Sequence, residues 1–176
     1  MLRDETVNNK LLVLFVMEKL EMPISEETLV QICAIDNTWI SQLFCSPIIR
    51  ELITGGFLTE TKIPVTKANI LALSPDGVNC LSHFYNDIAA SLREEITAYV
   101  RKERINFKKK QEFLADYRRN SDGTFTVILK ILDITKPIME LKFIVTNRAV
   151  ATSIYNSWQI KAHEVYIAIS DTLLDA

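Results

Sequence analysis

Ser46, Arg50, Glu51 and Thr54 are the polar residues in the segment from Ser46 to Thr54, whose other members include Ile49, Leu52 and Ile53 at helical spacing. An arginine forks onto a guanine edge and hydroxyls bond base edges or phosphates, so Ser46, Arg50 and Thr54 suit a helix laid in a DNA major groove. One arginine is a small base-reading set, and Glu51 opposes phosphate unless it accepts from cytosine or pairs with Arg50. The same helix therefore also suits a scaffold that binds protein. Lys62 and Lys67 flank Pro64, where a basic pair can sit on the DNA backbone or in the minor groove, or simply form a charged loop. Arg101, Lys102, Arg104, Lys108, Lys109 and Lys110 form the densest basic cluster. It can extend phosphate contact, bind an acidic partner, or be a solvated face.

Other chemistry has no visible address. His83 and His163 lie far apart and keep no metal-ligand spacing with Cys33, Cys45 or Cys80, and the three cysteines carry no C-x-x-C pair. Neither a phosphate-cradling glycine loop nor a nucleophile elbow occurs. No catalytic residue, metal or cofactor is expected, and the cysteines read as buried, reduced packing residues. Asp116, between apolar alternating positions, either anchors a ligand or pairs with Arg118 or Arg119. Trp158, at core spacing, reads as packing rather than a ligand platform.

The 176 residues are 48% hydrophobic and 24% charged, with only 4 Gly and 5 Pro, the balance of an ordered globular chain. The net charge of −2 argues against indiscriminate coating of nucleic acid. Residues 1–80 hold six Lys or Arg against ten Asp or Glu, whereas 101–119 hold eight against three, so positive charge gathers outside the reading helix. The apolar run from Leu11 to Met17 is too short to span a membrane, and Asp4 and Glu5 precede it where a signal peptide carries basic residues. A cytoplasmic protein with no membrane contact is expected.

These side chains need elements to position them. Val7, Leu11, Leu14, Phe15 and Leu20, widened by Leu12 and Val16, predict a helix apolar on most sides. Ser25 predicts an N-cap with Glu26 and Glu27 in the first turn, opening a helix from about Glu26 to Ile35. Ser46 and Pro47 read as the cap and first residue of the next helix, which Gly55 and Gly56 close. Two short strands, Phe57 to Thr61 and Ile70 to Leu73, bracket a loop, and Ser74-Pro75 starts another helix. This order, three helices, a hairpin and a helix, is that of a winged helix-turn-helix. A connecting helix follows, with Ile88, Leu92, Ile96 and Val100 at helical spacing. Alternation then predicts strands around Phe113 to Tyr117, Phe125 to Ile131 and Met139 to Val145, the last after a break at Lys136-Pro137. Thr146 is the expected cap of a final helix carrying Ile154, Trp158, Ala162 and Val165. The fold expected is α+β: a winged helix-turn-helix over 1–87, a connecting helix over 88–107, and a β-β-β-α module over 108–176 with a three-stranded antiparallel sheet.

Three stretches carry a resemblance. They are Glu51-Leu52-Ile53-Thr54-Gly55-Gly56-Phe57-Leu58 with Leu73-Ser74-Pro75-Asp76-Gly77; Ala115-Asp116-Tyr117 with Gly123; and Leu141 to Val145 with Trp158 and Tyr166. On these the whole chain resembles a bacterial winged-helix family, a domain of unknown function described as transcriptional regulators. The first stretch is also distantly similar to multiple-drug-resistance and phenolic-acid-type repressors. The resemblance implies a winged-helix reader joined to a β-β-β-α module, and it brings no catalytic residues. The expectation is a homodimeric regulator that binds double-stranded DNA through Ser46, Arg50, Thr54, Lys62 and Lys67. The alternative is an adaptor that keeps the scaffold and binds protein. The resemblance assigns neither an operator nor a small-molecule effector.

Overall fold

A computed structural model of the chain describes residues 2–63, 68–134 and 136–174. It is a mixed α+β chain that divides into two compact units, Met1–Ile105 and Asn106–Ala176.

The first unit is built around α1 (Leu2–Leu20). Every residue from Leu11 to Met17, and Leu20, is buried, as a helix apolar all round requires. Burying each such side chain contributes roughly 1.5–3 kcal/mol relative to leaving it in water. Val7, expected in the same core, is half exposed, because the contacts of α1 concentrate toward its C-terminal half.

A two-residue strand, β1 (Ile24–Ser25), leads into α2 (Glu26–Val30), whose cap is the predicted one: the Ser25 hydroxyl accepts from the Thr28 N–H at 3.2 Å. The helix runs on as a π-wound stretch, Gln31–Asp36, a winding that frees backbone carbonyls from their usual partners. Asn37 Nδ2 donates to the Ile32 carbonyl at 2.8 Å and so satisfies one of them. Next comes α3 (Gln42–Thr54), then β2 (Leu58–Lys62) and β3 (Asn69–Leu73), then α4 (Pro75–Phe84) with a short 3-10 turn, and then α5 (Ala90–Glu112).

The sheet of this unit has the order β1-β3-β2, all antiparallel, with Ile24 opposite Leu71 and Leu58 opposite Leu73. One junction locks α3, the hairpin and α4 together. Gly56 turns the chain with φ +78°, a conformation glycine adopts without strain. The Ser74 hydroxyl lies 2.6 Å from the Gly56 carbonyl and 2.9 Å from that of Phe57, donating to them, and accepts from the Gly77 N–H at 3.0 Å. A methyl added to Gly77 would stand 2.3 Å from the Phe57 carbonyl oxygen. The two short motifs at residues 51–58 and 73–77 are thus one structural knot.

The second unit holds β4 (Phe113–Arg119), β5 (Phe125–Asp133) and β6 (Lys136–Val145) in the order β4-β5-β6, antiparallel, followed by α6 (Arg148–Leu174). Val127, Leu129 and Ile131 on one face of β5 pack with Ala151, Trp158 and Ala162 of α6 into its core. The indole of Trp158 donates to the Lys130 carbonyl at 3.3 Å, so it is a packing residue with its one polar atom satisfied. The hairpin turn at Ser121-Asp122-Gly123 is as expected, with Gly123 at φ +87°.

Several boundaries differ from the sequence reading. Helix α3 begins at Gln42, so Ser46 and Pro47 lie inside it and Ser46 is not its cap. Helix α5 runs through Lys108-Lys109-Lys110 to Glu112, since lysines are good helix formers and a charge run does not end a helix. Strand β6 starts at Lys136 and takes in Pro137, which an edge strand tolerates. The cap of α6 is Asn147, whose Oδ1 accepts from the Val150 N–H at 3.0 Å, rather than Thr146.

Candidate nucleic-acid interface

The earlier start of α3 changes its outward face. Cys45, Ile48, Ile49 and Leu52 are buried and fix the helix on the unit. Residues four apart line up on a helix surface, so Gln42, Ser46, Arg50 and Thr54 form one row. Gln42 and Arg50 are exposed and Ser46 is half-buried. Gln42 was missed by the sequence reading because Ser46-Pro47 imitates a helix start, which left Gln42 in the preceding turn. A glutamine in the first turn can bond adenine bidentately, and recognition helices contact base edges from this end.

The next row carries Leu43, Pro47 and Glu51. Leu43 is 81% exposed and Phe44 beside it 53%, an apolar surface at the start of α3.

The charges of α3 are engaged within the unit. Arg50 Nη2 donates to Glu26 Oε2 at 2.6 Å, and its Nη1 lies 3.5 Å from Glu60 Oε1. Glu51 pairs with Lys10 at 2.7 Å and not with Arg50. The Thr54 hydroxyl donates back to the Arg50 carbonyl at 2.9 Å. Arg50 is therefore exposed yet flanked by two carboxylates. Such pairs contribute little to stability, a few tenths to about 1 kcal/mol, and can be opened by a competing anion.

The turn between α2 and α3 is held by α5. Tyr99 donates to Asp36 Oδ2 at 2.7 Å, the Trp39 indole donates to Glu95 Oε1 at 2.8 Å, and the two rings meet edge to face at 5.7 Å. Partial burial, and then the Asp36 carboxylate, push the Tyr99 phenol well above its ordinary pKa. Cys33 and Cys45 are both buried, and each acts on the other so that the Cys33 thiol is pushed up and the Cys45 thiol drawn down.

Lys62 is exposed at the end of β2, opposite Asn69, and the Ile63 N–H donates to the Ala68 carbonyl across the loop base at 2.8 Å. Lys67 lies outside the described residues. The cations of the basic cluster divide between the units. In the first, Arg104 pairs with Glu21 at 2.8 Å and Lys102 stands 3.9 Å from Glu103, while Arg101 is exposed. In the second, Lys108 stands 3.8 Å from Glu112, and Lys109 and Lys110 are exposed in the last turn of α5, where cations suit the helix dipole. Asp116 is exposed on β4 opposite Ile128, and among the described residues it makes no ion pair with Arg118 or Arg119.

A cleft of about 430 Å³ lies at the start of α6, lined by Tyr117, Arg119, Phe125, Asn147 and Arg148. Hydrogen bonds to Thr152 and Arg148 lower the Tyr117 pKa. Among the described residues no cluster of His, Cys, Asp or Glu could hold a metal ion, and no helix is long and apolar enough to cross a membrane.

The molecule is thus a two-unit α+β chain with two three-stranded antiparallel sheets and a helix row from Gln42 to Thr54 in which Gln42, Arg50 and Thr54 are exposed. It belongs to the family defined as Domain of unknown function (DUF4364), whose model matches residues 9–173 and so runs through both units. No curated protein and no solved structure matches the chain.

Proposed function

We propose that this chain is a dimeric transcriptional regulator whose first unit is a winged helix-turn-helix that binds double-stranded DNA. The observation that carries the reading is the path of the chain around α3. It runs α1, β1, α2, α3 and then directly into the β2-β3 hairpin, with β3 pairing back onto β1. In that arrangement α2 and α3 are the helix-turn-helix, the hairpin is the wing, and Gln42, Ser46, Arg50 and Thr54 are the row offered to the groove. Lys62, at the end of β2, belongs to the wing and positions it on phosphate, and Lys67 is the second cation of this reading. A dimer is part of the reading because one such reader covers too little DNA for high specificity.

The test is affinity for genomic DNA fragments measured by fluorescence anisotropy. Fragments selected by the protein should bind Gln42→Ala and Arg50→Ala at least about tenfold more weakly, as loss of a bidentate base contact does. Selected sites should carry half-sites roughly 34 Å apart, one turn of DNA. No binding at low salt sinks the reading.

The exposed Leu43 and Phe44 favour a second reading, in which the same helix end docks on protein and the scaffold is an adaptor. Absence of DNA binding, together with a protein partner lost in Phe44→Ser, would select it.

A further inference from the structure

Strand β6 lies at the edge of the second sheet, with β5 on one side and, among the described residues, no strand paired on the other. An exposed edge is a template for another strand, and proteins usually blunt it with charge or proline. Here Pro137 stands near the start of the strand, while Ile138, Phe143 and Ile144 are exposed, Ile144 at 66%. The charges between them are Glu140 and Lys142, two residues apart with Leu141 at their centre.

We propose that two copies of the chain join through this edge, β6 against β6 antiparallel with Leu141 on the two-fold axis, making one six-stranded sheet. In that register Glu140 of each copy faces Lys142 of the other, twice by symmetry. Ile138 faces Ile144, and Met139 faces Phe143. The rows continue the register seen inside each chain. Lys130 is opposite Glu140 on β5, with Nζ 3.0 Å from its Oε2, so the polar face would read Lys130, Glu140, Lys142 of the second copy, alternating in sign. On the face that carries α6, Leu129 is opposite Leu141 and Ile131 opposite Met139, so the apolar rows run across the new joint unbroken.

Other registers lose this match. Centring the pair on Glu140 or Lys142 sets like charges against each other, which destabilises a cross-strand pair. A slip by one residue turns the apolar face of one sheet onto the polar face of the other. A register centred on Ile138 also sets Lys136 against Glu140, but it joins only residues 136–140 of each strand with Pro137 in the ladder, whereas centring on Leu141 joins 137–145. The edge is thus complementary to itself along most of its length in that alignment, which selects a second copy of this chain over an unrelated strand. The inference rests on the dimer in the reading above and is independent of its DNA part.

Charge reversal tests it on the full chain by sedimentation equilibrium. The wild type should dimerise. Lys142→Glu should weaken the dimer by about tenfold or more, because two facing pairs turn repulsive. Glu140→Lys should do the same, with circular dichroism reporting that both variants remain folded. Mixing the two variants should restore the dimer, since each then faces its opposite charge. A wild type that is monomeric at all accessible concentrations overturns the proposal. So does a dimer unmoved by Lys142→Glu but lost in Ile160→Glu, which would seat the interface on α6. DNA binding enters none of these outcomes, so the dimer edge and the DNA reading fail separately.

Discussion

Arg50 and Glu26 form an ion pair of 2.6 Å, which ties the one arginine on the outer row of α3 to the first turn of α2. Glu60 on β2 stands on its other side at 3.5 Å. The guanidinium thus has two occupations open to it, the carboxylates of its own unit or an anion brought from outside.

Replacing Glu26 with glutamine should release it. Because Arg50 is 58% exposed, the pair contributes little, and unfolding by urea should show a loss below about 1 kcal/mol. Affinity for a selected DNA fragment should rise roughly threefold, within the range an exposed pair can supply. A fall in affinity would mean that Glu26 orients Arg50 for binding.

The junction at Ser74 should be far less tolerant. Ser74→Ala removes the acceptor for Gly77 N–H and the hydroxyl donor to the Gly56 carbonyl, while the Phe57 carbonyl keeps the Ser74 N–H, for about 1–3 kcal/mol. Gly77→Ala drives a methyl into the Phe57 carbonyl and should cost a similar amount or more. Urea midpoints of the two variants, at unchanged denaturant slope, measure this.

Tyr99 gives the first unit a sensitivity to alkali. Burial and Asp36 raise its pKa in the folded state, so the folded chain holds the proton after the unfolded chain has lost it. The stabilisation is complete below the ordinary phenol value of about 10 and is lost as pH rises above it. Thermal unfolding of the wild type should fall more steeply above that pH than that of Tyr99→Phe. Parallel curves would remove Tyr99 as the cause.

Trp158 should anchor the second unit. Its side chain is buried against Val127, Leu129 and Ile131, and Trp158→Ala should cost about 3–5 kcal/mol. The effect is read from denaturant unfolding followed by the fluorescence of the remaining Trp39 alongside circular dichroism. With Trp39 in the first unit, a circular dichroism transition that moves while the fluorescence transition stays would locate the loss in the second.

Much of the fold was legible because its signals are local. The Ser25 and Ser74 caps, the glycine turns at Gly56 and Gly123, and the alternation along β5 each act within a few residues. The start of α3 was not, since Ser46-Pro47 has the composition of a helix start, whereas Ser41, the residue before the helix, makes no side-chain cap bond. That one shift hid Gln42. Strand β1 is two residues long and exists only through β3, forty-odd positions away, so no periodicity announces it. The partners of Arg50 come from α2 and β2, and that of Glu51 from α1, contacts that only the folded unit creates.

The measurement that bears most directly on the DNA reading is the salt dependence of binding to a selected duplex. Affinity should fall linearly on logarithmic axes, by roughly 150-fold between 50 and 200 mM salt for the four phosphate contacts that Lys62 and Lys67 supply from two protomers, and the slope should flatten by about two contacts in Lys62→Ala. Binding that is absent at 50 mM salt, or equal at both concentrations and unchanged in Lys62→Ala, contradicts it.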